Sequence, residues 1–258
     1  MSRALDWTAL RRRRLGTEIA IVLAVSLGAS AVYSVVSLVA KLTKGTALAD
    51  QSTTLNGALS DRQWLDVTYQ LLAIFFDLAP VALALYLLAI SGANPFRRVG
   101  LDFRQPLRDL GRGWLLVLVV GVPGIVLYAV WRLLGQSAAV IASPLDAQWY
   151  TVPILVLSAL RAALQEEVIV VGYLFTRLRQ LGWQKWWIIV AAAALRGSYH
   201  LYQGPGPFVG NFLMGVIFGW CYWRWGRVMP LVVAHWIMDI VSFVGFPLAV
   251  AWFPGLFG

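Results

Sequence analysis

The chain alternates long apolar runs with short polar connections that carry most of its charge. Seven runs stand out: Glu18–Val39, Trp64–Ser91, Gly113–Leu134, Val152–Phe175, Trp186–Tyr202, Phe208–Trp223 and Pro230–Phe243. Most approach the length of about 20 residues that a helix needs to cross the hydrocarbon core of a bilayer. The second run is long enough for a tilted or broken helix and carries Pro80 near its middle. The fifth ends at Gly204-Pro205-Gly206-Pro207. A short last run, Gly245–Phe257, holds Pro247 and Pro254 and reads as a half-span or an interfacial segment. The pattern predicts an all-α fold, a polytopic membrane helix bundle of seven to eight transmembrane helices. Residues 1–258 form a single transmembrane domain in this reading, its N-terminal helices covering about 16–136.

Composition narrows the class. Of the 258 residues, 60% are apolar and 13% charged, against about 45–50% and about 25% in soluble domains. A water-soluble globular enzyme and a disordered chain are both excluded. The lone Cys221 excludes a disulfide framework and a thiolate zinc site. Net charge is +9, from 18 Arg and 3 Lys against 12 acids. These charges fall between apolar runs, so the anionic leaflet of a membrane, not nucleic acid, is their expected partner.

Their distribution orients the chain. Arg3, Arg11–Arg14, Arg97, Arg98, Arg104, Arg108, Arg112, Arg177, Arg179, Lys185, Arg224 and Arg227 lie on alternate connections, 15 basic residues in all. The opposite connections hold Lys41, Lys44 and Arg62. The bias places the N-terminus and the arginine-rich loops in the cytoplasm. Arg11–Arg14 before an apolar stretch and Ala29-Ser30-Ala31 also fit a signal peptide. The run continues about nine residues further, beyond a normal h-region, which favours an uncleaved first span. The preference for Arg over Lys suggests a bacterial inner membrane.

Ionisable groups inside spans cost at least about 2.5–3.5 kcal/mol each on insertion scales, so each is a functional candidate. They are Asp77, Arg132, Arg161, Glu166, Glu167, Arg196, His200, His235 and Asp239. Arg196 with His200, and His235 with Asp239, are spaced i,i+4 and would share a helix face. At about 1.5 Å per residue, Glu166, His200, His235 and Asp239 reach similar depths near the bilayer centre. Two adjacent carboxylates with two imidazoles offer acid–base chemistry on water. Glu166 would take a proton from a water held by His200, and His235 with Asp239 would face an oxyanion. Ser158 and Ser198 lack the partners of a nucleophile. The His235–Asp239 pair fits a structural interhelical lock equally well. Arg161 and Arg132 read as counter-ions or snorkelling groups.

Three motifs carry a resemblance. Glu166-Glu167-Val168-Ile169-Val170-Val171-Gly172-Tyr173 resembles the Glu-Glu-x-x-x-Arg-Gly-Tyr pattern of the CAAX protease and bacteriocin-processing family, the Abi or type II CAAX prenyl endopeptidase-like proteases. Arg196-Gly197-Ser198-Tyr199-His200 is similar to its Phe-x-x-x-His motif, and His235-Trp236-Ile237-Met238-Asp239 to its His-x-x-x-Asn/Asp motif. The resemblance covers about residues 150–245. It implies an intramembrane endopeptidase of about eight helices acting on a peptide or membrane-protein substrate. Glu166 and His200 would activate water, His235 and Asp239 would stabilise the oxyanion, and Glu167 would support as a further acid. Arg196 and Arg161 are supporting cations. The family is often labelled a metalloprotease, and Glu166, His200, His235 and Asp239 could together hold a divalent zinc ion. Without a His-Glu-x-x-His motif or a thiolate cluster, metal-free water activation is the favoured expectation and no cofactor is required.

Two positions depart from the pattern: the first-motif arginine is Val171, and the second-motif phenylalanine is Arg196. The chain has lost a cation on one helix and gained one on another, which predicts that Arg196 pairs with Glu167, with Arg161 as the rival. The other reading is a catalytically degenerate member serving as a membrane scaffold or immunity-type binding protein. A small transporter with a proton relay is disfavoured by the lack of an inverted repeat.

Overall fold

A computed structural model gives the architecture and describes residues 7–90, 92–141 and 148–248. It is helical almost throughout. The helices are α1 (Trp7–Ala24), α2 (Leu27–Leu42), α3 (Gln63–Asp77), α4 (Ala79–Ala89), α5 (Pro95–Val99), α6 (Pro106–Leu116), α7 (Val122–Leu133), α8 (Thr151–Glu166), α9 (Leu174–Gln180), α10 (Lys185–Ser198), α11 (Pro205–Trp225) and α12 (Met229–Ile240). Two three-residue strands, β1 (Ser52–Thr54) and β2 (Ala139–Ile141), pair in parallel. This small ladder is an exception to the all-helical expectation among the described residues.

Among the described residues, three helices are long and apolar enough to cross a membrane: Gln63–Ala89, Pro106–Leu133 and Met229–Leu248. A fourth candidate is the pair Leu10–Ala24 and Leu27–Leu42, bent by 54°. The single first span read from sequence is therefore a broken one. Ser26 is the cause. Its Oγ donates to Val22 O at 2.5 Å and its backbone leaves the helical region at φ −145. A serine that bonds back onto its own helix bends it. The last run of the sequence, Gly245–Phe257, lies mostly outside the described residues.

Three helices continue through π-type turns, Val117–Gly121, Glu167–Tyr173 and Val241–Gly245. The second joins α8 to α9, so the chain is helical from Thr151 to Gln180. The core surrounds this stretch, with Val168, Ile169, Val170, Val171 and Tyr173 all buried. π-type turns are rare and occur often at functional sites.

Run five differs most from expectation. α10 stops at Ser198 after 14 residues, about 21 Å of helix. His200 N–H then bonds Gly197 O, three residues back, and Leu201–Gln203 forms a 3-10 turn. Gly204 closes this turn and precedes α11, with a φ of +120 that suits glycine. A side chain there would also meet Gln136 O at 2.6 Å.

α11 returns against α10 at short range. A β-carbon at Gly215 would lie 2.8 Å from Ala193 Cα, so the two backbones approach as small residues permit in membrane bundles. α12 packs across α6 and α8. The N-terminal half holds this core in place. Arg177 donates to Glu18 Oε1 at 2.7 Å and to Leu87 O at 2.7 Å, joining α9 to α1 and α4. Tyr202 N–H donates to Ser34 Oγ at 2.6 Å, fastening the turn after α10 to α2. On the arginine-rich side, Arg227 bonds Asp109 and Asp102, tying α12's entry to the connection before α6.

Candidate active site

Glu166 ends α8 and Glu167 begins the π-type turn. Tertiary contacts give the two acids different surroundings. Glu167 is fully buried at 0% exposure. Its Oε1 accepts from Arg196 Nη2 and from His235 Nδ1, the latter at 2.8 Å. Its Oε2 has no hydrogen-bond partner among the described residues. Glu166 is buried but slightly open, and its Oε2 accepts from Tyr199 OH at 2.7 Å. Arg196 Nη2 lies 3.9 Å from the same oxygen.

Arg196 comes from the last turn of α10, at 1% exposure, with its guanidinium over the Phe218 ring at 5.4 Å. The cation expected to replace the first-motif arginine does contact Glu167. Arg161, the rival, points elsewhere: it lies 3.6 Å from Asp77 and bonds Gln165 at 3.2 Å. Asp77, unassigned from sequence, is its counter-ion. Arg132 donates to the carbonyls of Ala49 and Ser137 and takes no part in the site.

His235 stands between two carboxylates. Nδ1 is on Glu167, and Nε2 is 3.5 Å from Asp239 Oδ2 across one helical turn. The second distance is long for a good hydrogen bond. His200 does not share a helical face with Arg196, because α10 has ended before it. Both of its ring nitrogens are buried and without hydrogen-bond partners among the described residues. Its ring lies against Tyr199, centroids 4.9 Å apart, and it is within electrostatic reach of Glu166.

Unpaired buried polar atoms are costly and each needs an explanation. Glu167 Oε2, Arg196 Nε and Nη1, and both nitrogens of His200 are unsatisfied around these acids. Such a set calls for water or a polar ligand in the site.

The metal set expected from sequence is not the one assembled. Glu166, Glu167 and His235 present ligand atoms within 4.8 Å of one another, while His200 and Asp239 are not part of that group. Glu167 Oε1 already carries the Arg196 guanidinium. A zinc ion sharing it would sit beside a fixed positive charge, so the donor set as built fits a divalent ion poorly.

Tyr199 was not singled out from sequence. The available signal was its place beside His200 and three residues after Arg196, one helical face from it. Glu18, at the start of the first apolar run, is bound by both Arg177 and Tyr173.

A buried acid–imidazole site on helices of a membrane-type bundle is the class that this geometry defines. Comparison finds a likeness over part of the chain. Residues 148–241 match the family model of the type II CAAX prenyl endopeptidase Rce1-like proteins. The match runs from just before α8 to just past α12 and contains all three motifs. No curated protein and no solved structure matches the chain. The resemblance read from the three motifs therefore holds over residues 148–241, a family generally of proteases; the N-terminal half lies outside the match.

Proposed function

We propose that this protein is an intramembrane endopeptidase that hydrolyses a peptide bond with a water activated by Glu166 and His200. The observation that carries it is a set of unsatisfied atoms. Glu166 spends Oε2 on Tyr199, and both nitrogens of His200 are buried without a hydrogen-bond partner among the described residues. A water bridging Oε1 and the imidazole satisfies these groups together. Glu166 takes a proton from that water, and the oxygen attacks the scissile carbonyl carbon. The developing oxyanion is met by His235 Nε2, whose 3.5 Å contact to Asp239 is loose enough to exchange. Collapse breaks the C–N bond, and Glu166 returns the proton to the leaving amine. Glu167, Arg196 and Asp239 hold the constellation.

The reaction as written uses no metal, and the guanidinium on Glu167 supports that. The membrane arrangement in this reading is seven crossings, counting α1–α2, α3–α4, α6–α7, α8–α9, α10, α11 and α12. The 15-to-3 distribution of basic residues supports a cytoplasmic N-terminus in a bacterial inner membrane. The whole chain acts as one domain, with its catalytic core in about 150–245.

The test uses the protein in detergent and a fluorescence-quenched peptide ending in Cys-aliphatic-aliphatic-X, with and without a farnesyl thioether. Wild type is expected to cleave. Glu166→Gln and His200→Ala are expected to lose about 10²–10⁴-fold or more of kcat while eluting as folded protein. Retained activity in Glu166→Gln rejects the assignment. A wild type that cleaves neither peptide nor a membrane-protein panel, yet retains a co-purifying partner, supports the scaffold reading instead.

A further inference from the structure

One side chain touches both groups assigned to the water. The Tyr199 hydroxyl donates to Glu166 Oε2 at 2.7 Å, and its ring lies against that of His200 at 4.9 Å and 46°. Tyr199 is the residue that closes α10, and its own N–H still bonds Leu195 O. Ending the helix there lets Arg196, Tyr199 and His200 serve three different ends. Arg196 reaches Glu167, Tyr199 reaches Glu166, and His200 is left without a protein partner among the described residues.

We propose that Tyr199 is a positioning residue for the Glu166–His200 pair, fixing which oxygen of Glu166 serves as the base. The proposal rests on the hydrolytic reading of the site. A free glutamate carboxylate rotates broadly about its last torsion and presents two equivalent oxygens. A hydrogen bond to a charged acceptor inside a dry site is strong enough to stop that rotation. Arg196 approaches the same Oε2, at 3.9 Å, so this oxygen is held from two sides and Oε1 is left for water. The ring packed on His200 limits the imidazole in the same way. Misplacing reacting groups by about 1 Å can cost about 10²-fold in rate.

The test is Tyr199→Phe, which keeps the ring against His200 and deletes only the hydroxyl. On the quenched farnesylated peptide, kcat is expected to fall about 10–100-fold, the usual effect of removing a supporting partner, with KM unchanged. 3,5-Difluorotyrosine placed at 199 restores a donor and is expected to restore most of kcat. An unimpaired kcat in Tyr199→Phe, or a difluorotyrosine protein as slow as Tyr199→Phe, overturns the proposal. A second measurement does not depend on turnover. The infrared carboxylate band assigned to Glu166, by its loss in Glu166→Gln, is expected to shift in Tyr199→Phe; an unmoved band also overturns the proposal. The two ideas fail differently. If wild type cleaves and Tyr199→Phe cleaves equally well, only the positioning role is rejected. If wild type cleaves nothing while the band shifts, the hydrolytic reading has failed and takes the positioning role with it, leaving the contact alone established.

Discussion

Arg196→Met is the most informative single change outside the water-activating groups. It keeps an unbranched stem over Phe218 and removes the guanidinium from Glu167. Arg196 and Glu167 are at 1% and 0% exposure, so solvent cannot take over the lost partner. Removing one member of a buried pair costs about 3–5 kcal/mol, because a desolvated charge is left behind. His235 still bonds Glu167 at 2.8 Å, which argues for the lower end, about 3 kcal/mol. For a chain of this size that is a fall in thermal midpoint of about 6–12 °C. The assay is thermal unfolding in detergent, followed by size-exclusion fluorescence. Adding Glu167→Gln to Arg196→Met neutralises the stranded acid and is expected to recover most of the loss, since the two residues form one coupled unit. Adding Val171→Arg is not expected to help. Val171 lies within the π-type turn, where Leu174 N–H bonds Ile169 O, five residues back. It is also packed in the apolar core. A midpoint for Arg196→Met within about 2 °C of wild type, less than about 1 kcal/mol on the same scale, would refute the reasoning. So would a double mutant with Glu167→Gln no more stable than the single.

Three further outcomes follow. Chelation by EDTA or 1,10-phenanthroline is expected to leave cleavage unchanged; loss of activity restored by zinc would show that a metal enters despite Arg196. A cysteine placed at Leu107, which is 83% exposed, is expected to resist impermeant maleimide added to intact cells, while one at exposed Leu59 should react; the opposite result inverts the topology. The Asp102 carboxyl is held down to about 2, chiefly by the hydrogen bond from Arg104 and further by Arg227, against an ordinary value of 3.8. A depressed carboxylate stabilises the fold above its unfolded pKa and loses that contribution as pH falls through the folded one. The midpoint advantage of wild type over Asp102→Asn should therefore be full above about pH 5 and shrink toward pH 2; an advantage undiminished at pH 2 would contradict the ion pairs of Asp102 with Arg104 and Arg227.

The sequence alone determined the solvent, the periodic helices and the chemical inventory. Apolar runs too long for a soluble core imply a bilayer, because backbone groups in hydrocarbon must bond within their own helix. The short count of ionisable residues inside those runs was legible for the same reason, since each one is expensive. The pairing of Arg196 with Glu167 could be anticipated because a buried acid needs a counter-charge and few were available. Tertiary structure decided what local spacing could not. The π-type turn at Glu167 changes which residues lie one turn away from the acids. α10 ends at Ser198, and the chain then turns at Gly204, where a side chain would meet Gln136 O of a segment distant in sequence. That stop separates His200 from Arg196 and turns Tyr199 onto Glu166. It also lets two neighbouring glutamates differ, one locked between a guanidinium and an imidazole, the other bonded to Tyr199. Adjacent identical residues carry no such distinction in sequence; it arises only from what the other helices bring against each.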